Sequence, residues 1–269
     1  MPELPEVETV KETLKQLVLN STIESVDFFY PNIIKKPSYD RFQELIKGQT
    51  INDITRRGKY LVFHLDDYYL ISHLRMEGKY FIKKDEEIEK HEHIVFNLTD
   101  GRTMRYHDVR KFGTLDLISK EIAIDEYLSH IGPEPFSDEF NAQYLLSKAK
   151  KKNIKGFLLD QSIVAGIGNI YVNEICFITR INPERIVNTL TLEDFERIIN
   201  ATRNVLNKAI SLGGTTIRSY TSSLGVTGRF QNELLVHGKA GENCPECGEP
   251  ISKIKVGGRG TYYCDNCQK

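Results

Sequence analysis

The chain lacks the features that mark membrane and secreted proteins. No stretch approaches the roughly twenty consecutive apolar residues that a membrane-spanning helix needs. The first six residues carry Glu3 and Glu6 where a signal peptide needs basic residues. Internal repeats and low-complexity tracts are also absent. These absences predict a cytoplasmic protein.

An excess of basic residues is missing too. The chain has 36 Lys and Arg against 37 Asp and Glu, so its formal net charge of -1 does not indicate a nucleic-acid partner. The charges are unevenly spread, with a lysine cluster at 148–155 and with Arg56, Arg57 and Lys59 close together. A near-neutral protein can carry a basic face when its acids lie elsewhere. On charge alone, an ordinary solvated surface explains these runs equally well.

Cysteine is scarce, and its placement is the strongest local signal in the chain. Four of the five cysteines form two Cys-x-x-Cys pairs separated by sixteen residues near the C-terminus. Such pairs predict a tetrahedral zinc site with four thiolate ligands. The predicted ligands are Cys244, Cys247, Cys264 and Cys267. Glycines in the gap favour a hairpin with Arg259 at its tip. Two disulfides are the alternative, but nothing else indicates secretion. The fifth cysteine, Cys176, lies in an apolar run and is predicted to be an inert core thiol.

The apolar pattern of the first part of the chain predicts one helix followed by strands. Residues 7–18 place their apolar side chains on one helical face, and strand patterns run from about 22 to 119. Two hairpins are predicted, around the acidic turn Asp66-Asp67 and around Asp100-Gly101. A helix and several antiparallel strands together predict a β-sandwich.

The second part of the chain has a helical pattern. It begins after residues 132–135, Gly-Pro-Glu-Pro, which are typical of a linker. Helices are predicted at 140–149, 169–178 and 192–211. Thr191 and Asp194 resemble a capping box at the start of the last helix, and two glycines at 213–214 end it. Residues 215–230 are polar, contain glycine and show no periodicity, so this segment is predicted to be a mobile loop. The chain of 269 residues, 40% of them hydrophobic, can form two compact cores besides the cysteine module.

Pro2 is the first candidate for covalent chemistry. Initiator methionine is normally removed before a small residue, and its removal would expose a secondary amine at Pro2. An α-amino group has a pKa of roughly 8, so about one in ten would be unprotonated at pH 7. Attack of this amine on a sugar aldehyde carbon gives an iminium, which is an electron sink for elimination. The alternative is that Pro2 only starts a helix, and a retained Met1 would abolish the catalytic role.

Two further elements are compatible with catalysis or phosphate binding. Glu3 lies beside the amine and could act as a general acid or base, although by itself it is more typical of a favourable charge at a helix start. Glu6 is likewise typical of a favourable charge at a helix start. Residues 166–171, Gly-Ile-Gly-Asn-Ile-Tyr, precede a helix whose backbone N–H groups could bind phosphate. A plain helix connection is the commoner explanation of such a turn.

Met76, Arg110 and Phe112 lie at two breaks between the predicted strands. An apolar wedge, an arginine and an aromatic ring are the groups that enter a base stack and fill the space of an extruded base. Without that context, ordinary packing explains Met76 and Phe112. The histidines of this region are predicted to be neutral donors or satisfied strand residues: His73, His91 and His93. A histidine metal site is not expected, because the four cysteines already form a complete ligand set.

Taken together, these motifs resemble the bacterial formamidopyrimidine-DNA glycosylase family from end to end. The segments that carry the resemblance are 2–9, 57–61, 108–113, 128–135, 166–171, 213–216 and the terminal cysteine module with Arg259. Each motif is modestly specific, whereas all of them in this order are very specific. His237 and Lys239 depart from the family, which more often has tyrosine and arginine there, but they lie outside the implied chemistry.

The resemblance implies an α+β multidomain fold with three domains. These would be an N-terminal catalytic β-sandwich with a flanking helix at 1–132, a helix–two-turn–helix domain at 133–230 and a four-cysteine zinc finger at 231–269. The segment 215–230 would cover the extruded base. The implied cofactor is one structural zinc ion per chain. The implied partner is double-stranded DNA with a damaged base, bound by a monomer in the bacterial cytoplasm, at the nucleoid.

The resemblance also implies a bifunctional glycosylase and lyase of base excision repair, acting on 8-oxoguanine or formamidopyrimidines. The nitrogen of Pro2 would attack C1′ of the extruded nucleotide, the base would leave as a Schiff base forms, and β- and δ-elimination would cut the strand. Glu3 would protonate the opening sugar ring. Lys59 would contact phosphate and assist β-elimination, and Arg259 would clamp the phosphates and assist δ-elimination.

Other residues are implied to contact DNA. They are His73, Met76, His91, Arg110, Phe112, Lys151, Lys152 and Asn169. Asn169 would support a phosphate at its helix start, and the set Met76, Arg110 and Phe112 would fill the helix. A length difference just after the lysines leaves open which of Lys151 and Lys152 makes the contact.

Two other functions stay open. The sister family endonuclease VIII removes oxidised pyrimidines with the same amine chemistry, but the Leu4-Pro5 start and the Met76, Arg110 and Phe112 set favour the purine branch. A non-catalytic zinc-finger protein that recognises damaged DNA belongs to a different class. The joint presence of Pro2, Glu3 and Lys59 argues against that class.

Overall fold

The computed structural model describes residues 1–215 and 228–269, which divide into two compact units. Residues 1–129 with 213–228 form the first unit, and residues 130–212 with 229–269 form the second. The predicted domain boundaries at 132 and 230 stay predictions. Residues 216–227 of the predicted loop at 215–230 lie outside the described residues.

The first unit begins with helix α1, Leu4–Val18. Val7, Val10, Leu14 and Val18 recur at spacings of three and four residues and are all buried. The predicted one-sided helix is therefore confirmed, although it starts three residues earlier than the apolar pattern indicated. Pro5 is tolerated there because the first turn of a helix has no intrahelical partner for its N–H.

The strands of the first unit form two sheets. They are β1 (Ile23–Phe28), β2 (Ile34–Lys36), β3 (Asp53–Arg57), β4 (Tyr60–His64), β5 (Tyr68–His73), β6 (Lys79–Lys84), β7 (Glu92–Leu98), β8 (Arg102–His107) and β9 (Thr114–Ser119). One sheet has the order β1-β7-β8-β6 and the other the order β2-β9-β5-β4-β3. Both predicted hairpins are confirmed, as the antiparallel pairs β4–β5 and β7–β8.

The two sheets pack on one apolar core that also receives the buried face of α1. Phe63 of β4 and Tyr80 of β6 come from different sheets, and their ring centroids are 5.6 Å apart. The predicted β-sandwich is thereby confirmed. Helix α2 (Tyr39–Ile46) was not predicted within this strand region. Only Phe42 and Ile46 of α2 are buried, which is too short a pattern to reveal a helix. The short helix α3 (Ile124–Tyr127) follows β9.

The second unit is helical and ends in a two-stranded hairpin. Its elements are α4 (Ala142–Lys148), α5 (Ile154–Leu158), α6 (Asn169–Ile178), α7 (Leu192–Ser211), β10 (Ser252–Val256) and β11 (Arg259–Tyr263). The bounds predicted for α6 and α7 agree with those observed. The predicted capping box is confirmed, because Thr191 Oγ1 accepts the Asp194 N–H and Asp194 Oδ2 accepts the Thr191 N–H, at 3.2 and 3.0 Å.

The fifth cysteine lies in the interior of the second unit. Cys176 is buried on α6, and burial raises the pKa of its thiol to about 12, in agreement with an inert core residue. Among the described helices, none is both long and apolar enough to cross a membrane.

Lys155 is a buried residue, which corrects its assignment to a surface lysine cluster. Its side chain is completely buried on α5, and its Nζ donates to Asn173 Oδ1, Gly260 O and Thr261 Oγ1 at 3.0, 3.0 and 2.7 Å. Its position in the first turn of α5 directs it inward, where these acceptors replace water around the ammonium group. Lys155 thus joins α5, α6 and β11.

The same network continues to His237. Asn173 Nδ2 donates to His237 Nδ1 at 2.7 Å. Burial, and secondarily the charge of Lys155, lower the pKa of His237 to about 4, so the ring is neutral at pH 7. A neutral ring can accept the amide hydrogen bond, whereas a protonated ring could not. Asn173 therefore connects a buried cation to a neutral histidine.

Replacing Lys155 with methionine should destabilise the second unit. Met keeps an unbranched side chain, but the buried acceptors on α6 and β11 lose their charged donor. We expect a loss of about 2–4 kcal/mol in unfolding free energy, and faster amide hydrogen exchange in β10 and β11. The matched control is the exposed Lys151→Met, which should change stability by less than about 0.5 kcal/mol. Equal denaturation curves for the two variants would contradict this role.

Candidate active site

The two N-terminal candidates lie at the start of α1. Pro2 and Glu3 are both buried, and Glu3 is only 2% exposed. The Glu3 N–H donates to Glu6 Oε2 at 2.9 Å. Unpaired backbone N–H groups give this end of the helix a partial positive charge. The predicted nucleophile and the predicted acid are therefore adjacent residues held in a fixed backbone.

Glu6 has a role that the sequence did not reveal. Its Oε1 accepts the backbone N–H and the hydroxyl of Thr215, at 2.7 and 3.1 Å. Gly214, with a φ of 76°, approaches so closely that a Cβ there would lie 2.6 Å from Glu6 Oε1. Glu6 thus holds both the start of α1 and the last described residue before 216–227. A contact across 209 positions leaves no local signal, so the sequence suggested only a helix-start charge.

Lys59 lies in the turn between β3 and β4. It is 6% exposed and follows Gly58, whose φ of 56° suits glycine. Three residues before Lys59, Arg56 Nε donates to Glu8 Oε2 at 2.8 Å, which ties β3 to α1. The turn that carries Lys59 is therefore braced against α1, the helix that follows Pro2 and Glu3.

His73 is a neutral hydrogen-bonding residue at the end of β5. Burial is the main cause that lowers the pKa of His73 to about 3, and the charges of Arg75 and Lys59 lower it further. The Arg75 N–H donates to His73 Nδ1 at 2.9 Å, so the ring proton is on Nε2. This agrees with the predicted neutral donor.

The loop after β5 and the loop after β8 carry the three predicted wedge residues. Met76 is 37% exposed and Phe112 is 54% exposed, and the Arg110 guanidinium lies 4.8 Å from the Phe112 ring centroid. Neither Met76 nor Phe112 belongs to the buried apolar core of the first unit. Their role as wedge residues stays a prediction.

Asp108 holds the second of these loops. It is completely buried, its Oδ1 accepts the Arg110 N–H at 3.0 Å, and its Oδ2 accepts the Gly113 N–H at 2.8 Å. His93 contacts the backbone oxygen of Asp108 through Nε2 at 2.9 Å, which makes His93 a satisfied strand residue. His91 is half-buried, with a φ of 78° and its ring centroid 6.1 Å from that of His93.

Asn169 and Arg259 belong to the second unit. Asn169 is the first residue of α6 and donates from Nδ2 to Gly260 O at 3.1 Å, while its Oδ1 has no hydrogen-bond partner among the described residues. Arg259 is exposed at the start of β11. The predicted hairpin is confirmed, but its turn consists of Gly257 and Gly258, so Arg259 lies beside the tip rather than at it.

The two candidate lysines differ in their surroundings. Lys151 and Lys152 are both exposed. Lys152 Nζ pairs with Asp160 Oδ2 at 3.1 Å, whereas Lys151 has no charge partner in the described part of the chain. A lysine without a carboxylate partner has the larger share of its charge available to a phosphate.

The four cysteine sulfurs form one cluster. All four Sγ atoms lie within 4.8 Å of one another, with Cys244 and Cys267 separated by 3.9 Å and Cys247 and Cys264 by 3.5 Å. Disulfide sulfurs would be about 2.05 Å apart. A tetrahedron with Zn–S bonds of about 2.3 Å has edges of about 3.8 Å. The donor set and its spacing therefore fit a four-coordinate metal and exclude the disulfide alternative.

Buried polar side chains attach the cysteine module to the rest of the second unit. The carboxylate of Glu174 on α6 accepts the N–H groups of three consecutive residues, Leu235, Val236 and His237, at 2.7, 3.1 and 2.8 Å. Gln268 Oε1 accepts the Cys264 N–H, and its Nε2 donates to Ile181 O. These bonds fix the module that presents Arg259.

Sequence models for three domains match almost the whole chain. The formamidopyrimidine-DNA glycosylase N-terminal domain matches residues 1–115. The formamidopyrimidine-DNA glycosylase H2TH domain matches residues 131–221, and a zinc finger found in FPG and IleRS matches residues 241–269. The order of the three matches confirms the predicted fold class, including the helix–two-turn–helix region.

Proteins similar over their full length are formamidopyrimidine-DNA glycosylases. The one from Halalkalibacterium halodurans is 50% identical over 275 residues, covering 100% of both chains. The one from Bacillus subtilis is 49% identical over 273 residues, covering 100% of this chain and 99% of its own.

Solved structures of Lactococcus lactis Fpg have the same fold. A point mutant of that protein in complex with a Fapy-dG containing DNA has a TM-score of 0.93 and 45% identity, over 100% of both chains. The complex of Lactococcus lactis Fpg with an abasic site containing DNA has a TM-score of 0.93 and 44% identity, over 99% of both chains. With this identity and coverage, the chain belongs to the formamidopyrimidine-DNA glycosylase family.

Proposed function

We propose that this protein is a bifunctional DNA glycosylase and abasic-site lyase of base excision repair that removes oxidised purines. The substrates are 8-oxoguanine and formamidopyrimidines in double-stranded DNA. Full-length relatives carry the glycosylase name, and solved relatives were captured with Fapy-dG DNA and with abasic DNA, one for each half of the reaction. The observation that carries the proposal is the buried Pro2-Glu3 pair at the start of α1.

Pro2 supplies the nucleophile once Met1 is removed. Met1 is 44% exposed, which suits removal by a peptidase. The secondary amine attacks C1′, the C1′–N bond to the damaged base breaks, and the electrons leave with the base. Pro2 is then bonded to C1′ in place of the base, and its N–H proton is released. Breaking of the C1′–O4′ bond opens the sugar ring and gives an iminium that needs no protonation to stay charged, so it withdraws electrons from C2′ and promotes elimination.

Glu3 acts as the acid beside this amine. Glu3 directly follows Pro2 in the chain, and its carboxyl group is shielded from bulk water. From this position it can pass a proton to the ring oxygen of the opening sugar. As this oxygen takes the proton and leaves C1′, the lone pair of the Pro2 nitrogen forms the C=N⁺ bond of the Schiff base. Glu6, through its bonds to Glu3 and Thr215, is the residue that positions this acid.

Lys59 and Arg259 each bind phosphate groups of the damaged strand. Lys59 sits in a tight turn braced by the Arg56–Glu8 ion pair, so its ammonium group has little conformational entropy to lose. It assists β-elimination. Arg259 offers a planar set of donors that suits a phosphate leaving group in δ-elimination.

The other DNA contacts fall into two groups. Four residues bind phosphates: His73, His91, Lys151 and Asn169. Asn169 does so from the start of α6, where its side chain also donates to Gly260 O of β11. The salt bridge of Lys152 with Asp160 supports Lys151 as the phosphate ligand. Met76, Arg110 and Phe112 fill the helix after the nucleotide leaves it. The loop of Met76 is held by the Gly78 N–H bond to Leu74 O, and that of Arg110 and Phe112 by backbone N–H bonds to the Asp108 carboxylate.

One zinc ion per chain holds the cysteine module together. The zinc-finger family match and the near-tetrahedral sulfur spacing support this assignment. The ion has a structural role, because all four ligands come from the protein and leave no open position for a substrate. Since one chain carries every group invoked above, we propose that it acts as a monomer, in the cytoplasm where its DNA substrate lies.

Borohydride trapping tests the nucleophile. The protein with a free Pro2 should form a covalent adduct with duplex DNA containing 8-oxoguanine, because borohydride reduces the iminium to a stable amine. Pro2→Gly keeps a primary amine and should retain part of the lyase activity. A form with Met1 retained should give no adduct while melting at the same temperature. Full trapping by that blocked form would refute the assignment of Pro2.

Metal analysis tests the zinc site. We expect about one zinc ion per chain, in accordance with four-thiolate coordination. Cys247→Ser should release zinc and weaken DNA binding by at least about tenfold, because the hairpin that presents Arg259 loses its metal. Cys176→Ala is the matched control, since it removes a cysteine outside the cluster, and it should keep its zinc. Unchanged DNA binding in Cys247→Ser would contradict the structural role of the ion.

The salt dependence of binding separates phosphate contacts from wedge contacts. Each phosphate contact contributes about -0.9 to the slope of log K against log salt. Lys59→Gln and Arg259→Gln should each flatten the slope by about one unit. Met76→Ala should leave the slope unchanged and weaken lesion preference, and exposed Lys47→Gln should change neither quantity. Identical salt and lesion profiles for Met76→Ala and Arg259→Gln would contradict this division of roles.

A further inference from the structure

Tyr106 lies beneath both loops that carry the exposed wedge residues. Its side chain is completely buried on β8, and its ring centroid is 5.2 Å from that of Tyr80 on the neighbouring strand β6. A Cβ built on Gly113 would lie 1.6 Å from the Tyr106 hydroxyl oxygen, and a Cβ built on Gly78 would lie 2.3 Å from the same atom. One oxygen atom therefore contacts the backbone of both loops.

Each loop also has hydrogen bonds within its own segment. Gly78 N–H donates to Leu74 O at 2.9 Å in the first loop, and Gly113 N–H donates to Asp108 Oδ2 at 2.8 Å in the second. These bonds shape each loop separately. The Tyr106 oxygen is different, because it touches the first loop two residues after Met76 and the second loop one residue after Phe112.

The backbone of both loops needs such support. Arg75, beside Met76, has a φ of 53°, and Lys111, between Arg110 and Phe112, has a φ of 57°. Residues with side chains adopt this left-handed conformation at a cost, so the surrounding structure must stabilise it. Any side chain at position 78 or 113 would displace Tyr106 or the loop, which explains why both contact points are glycine.

We propose that Tyr106 is a positioning residue for base extrusion, whose hydroxyl group sets the spacing between the Met76 loop and the Arg110–Phe112 loop. This inference rests on the proposed function, in which these three side chains fill the space of the extruded nucleotide. Groups that enter a base stack act together only when the distance between them is fixed. A misplacement of about 1 Å can cost a factor of about a hundred in rate.

Tyr106→Phe is the direct test, because it removes the oxygen and keeps the ring. Tyr80→Phe is the matched control, because it removes one hydroxyl from an equally buried tyrosine on the paired strand, where the hydroxyl donates to Ser72 Oγ at 2.9 Å. Single-turnover rates are measured on a duplex with 8-oxoguanine and on a duplex with a preformed abasic site, from which no base has to be extruded. A 2-aminopurine next to the lesion reports opening of the stack.

We expect Tyr106→Phe to remove 8-oxoguanine about tenfold more slowly, with a smaller 2-aminopurine signal, and to cleave the abasic site within about twofold of the wild-type rate. Tyr80→Phe should stay within about twofold in both reactions. A Tyr106→Phe variant that matches Tyr80→Phe, or that loses both reactions equally, would overturn the inference. If the wild-type protein cleaves neither duplex, the proposed function itself is refuted, and this inference is refuted with it.

A second variant tests the contact itself. Gly113→Ala places a methyl group on the Tyr106 oxygen and should slow removal of 8-oxoguanine more than cleavage of the abasic site. Adding Tyr106→Phe removes that oxygen and should restore part of the lost rate. Full restoration is not expected, since the new methyl group would also lie 2.7 Å from the ring carbon that bears the hydroxyl. A double variant no faster than Gly113→Ala would show that the oxygen does not set the loop position.

Discussion

The proposed catalytic chemistry depends on a fixed position of the first residues of the chain. Terminal residues are normally among the most mobile in a domain, yet here the first residues of α1 are buried. Apolar side chains such as Val7 and Leu14 fix the helix on the sheet core, and the Arg56–Glu8 ion pair fixes it to β3. The Glu6 carboxylate accepts hydrogen bonds from Glu3 and Thr215. A nucleophile at position 2 inherits the rigidity of this helix, so little entropy has to be lost in the reaction.

In the second unit, buried charged side chains fix the position of the hairpin that presents Arg259. Lys155 and Glu174 reach from α5 and α6 to the cysteine module, one as a donor and the other as an acceptor. Breaking such a buried polar contact costs more than making it gains, because the remaining group stays out of water. This asymmetry favours one orientation of the hairpin that presents Arg259. The metal would hold the cysteines, while these charges hold the module.

Much of the architecture could be predicted because it depends on local patterns. The face of α1, the bounds of α6 and α7, the two hairpins and the cysteine pairs all follow from spacings within a few residues or from paired motifs. The assignment of Lys155 to a surface cluster was wrong, because its acceptors Gly260 and Thr261 lie about a hundred positions away in the sequence. The contacts of Glu6 with Thr215 and of Tyr106 with Gly78 and Gly113 join distant segments too. A single sequence indicates which residues could take part in catalysis or binding, but not which distant backbone atoms hold those residues in place.

The central claim is that the paired Pro2 and Glu3 serve removal of oxidised purines. The most direct measurement compares cleavage of two duplexes that differ in one nucleotide, one carrying 8-oxoguanine opposite cytosine and the other an oxidised pyrimidine. The account predicts at least about tenfold faster cleavage of the 8-oxoguanine strand, a difference of about 1.4 kcal/mol in transition-state free energy, with phosphates at both ends of the gap. Preferential cleavage of the oxidised pyrimidine, or binding to the 8-oxoguanine duplex without any cleavage, would contradict it.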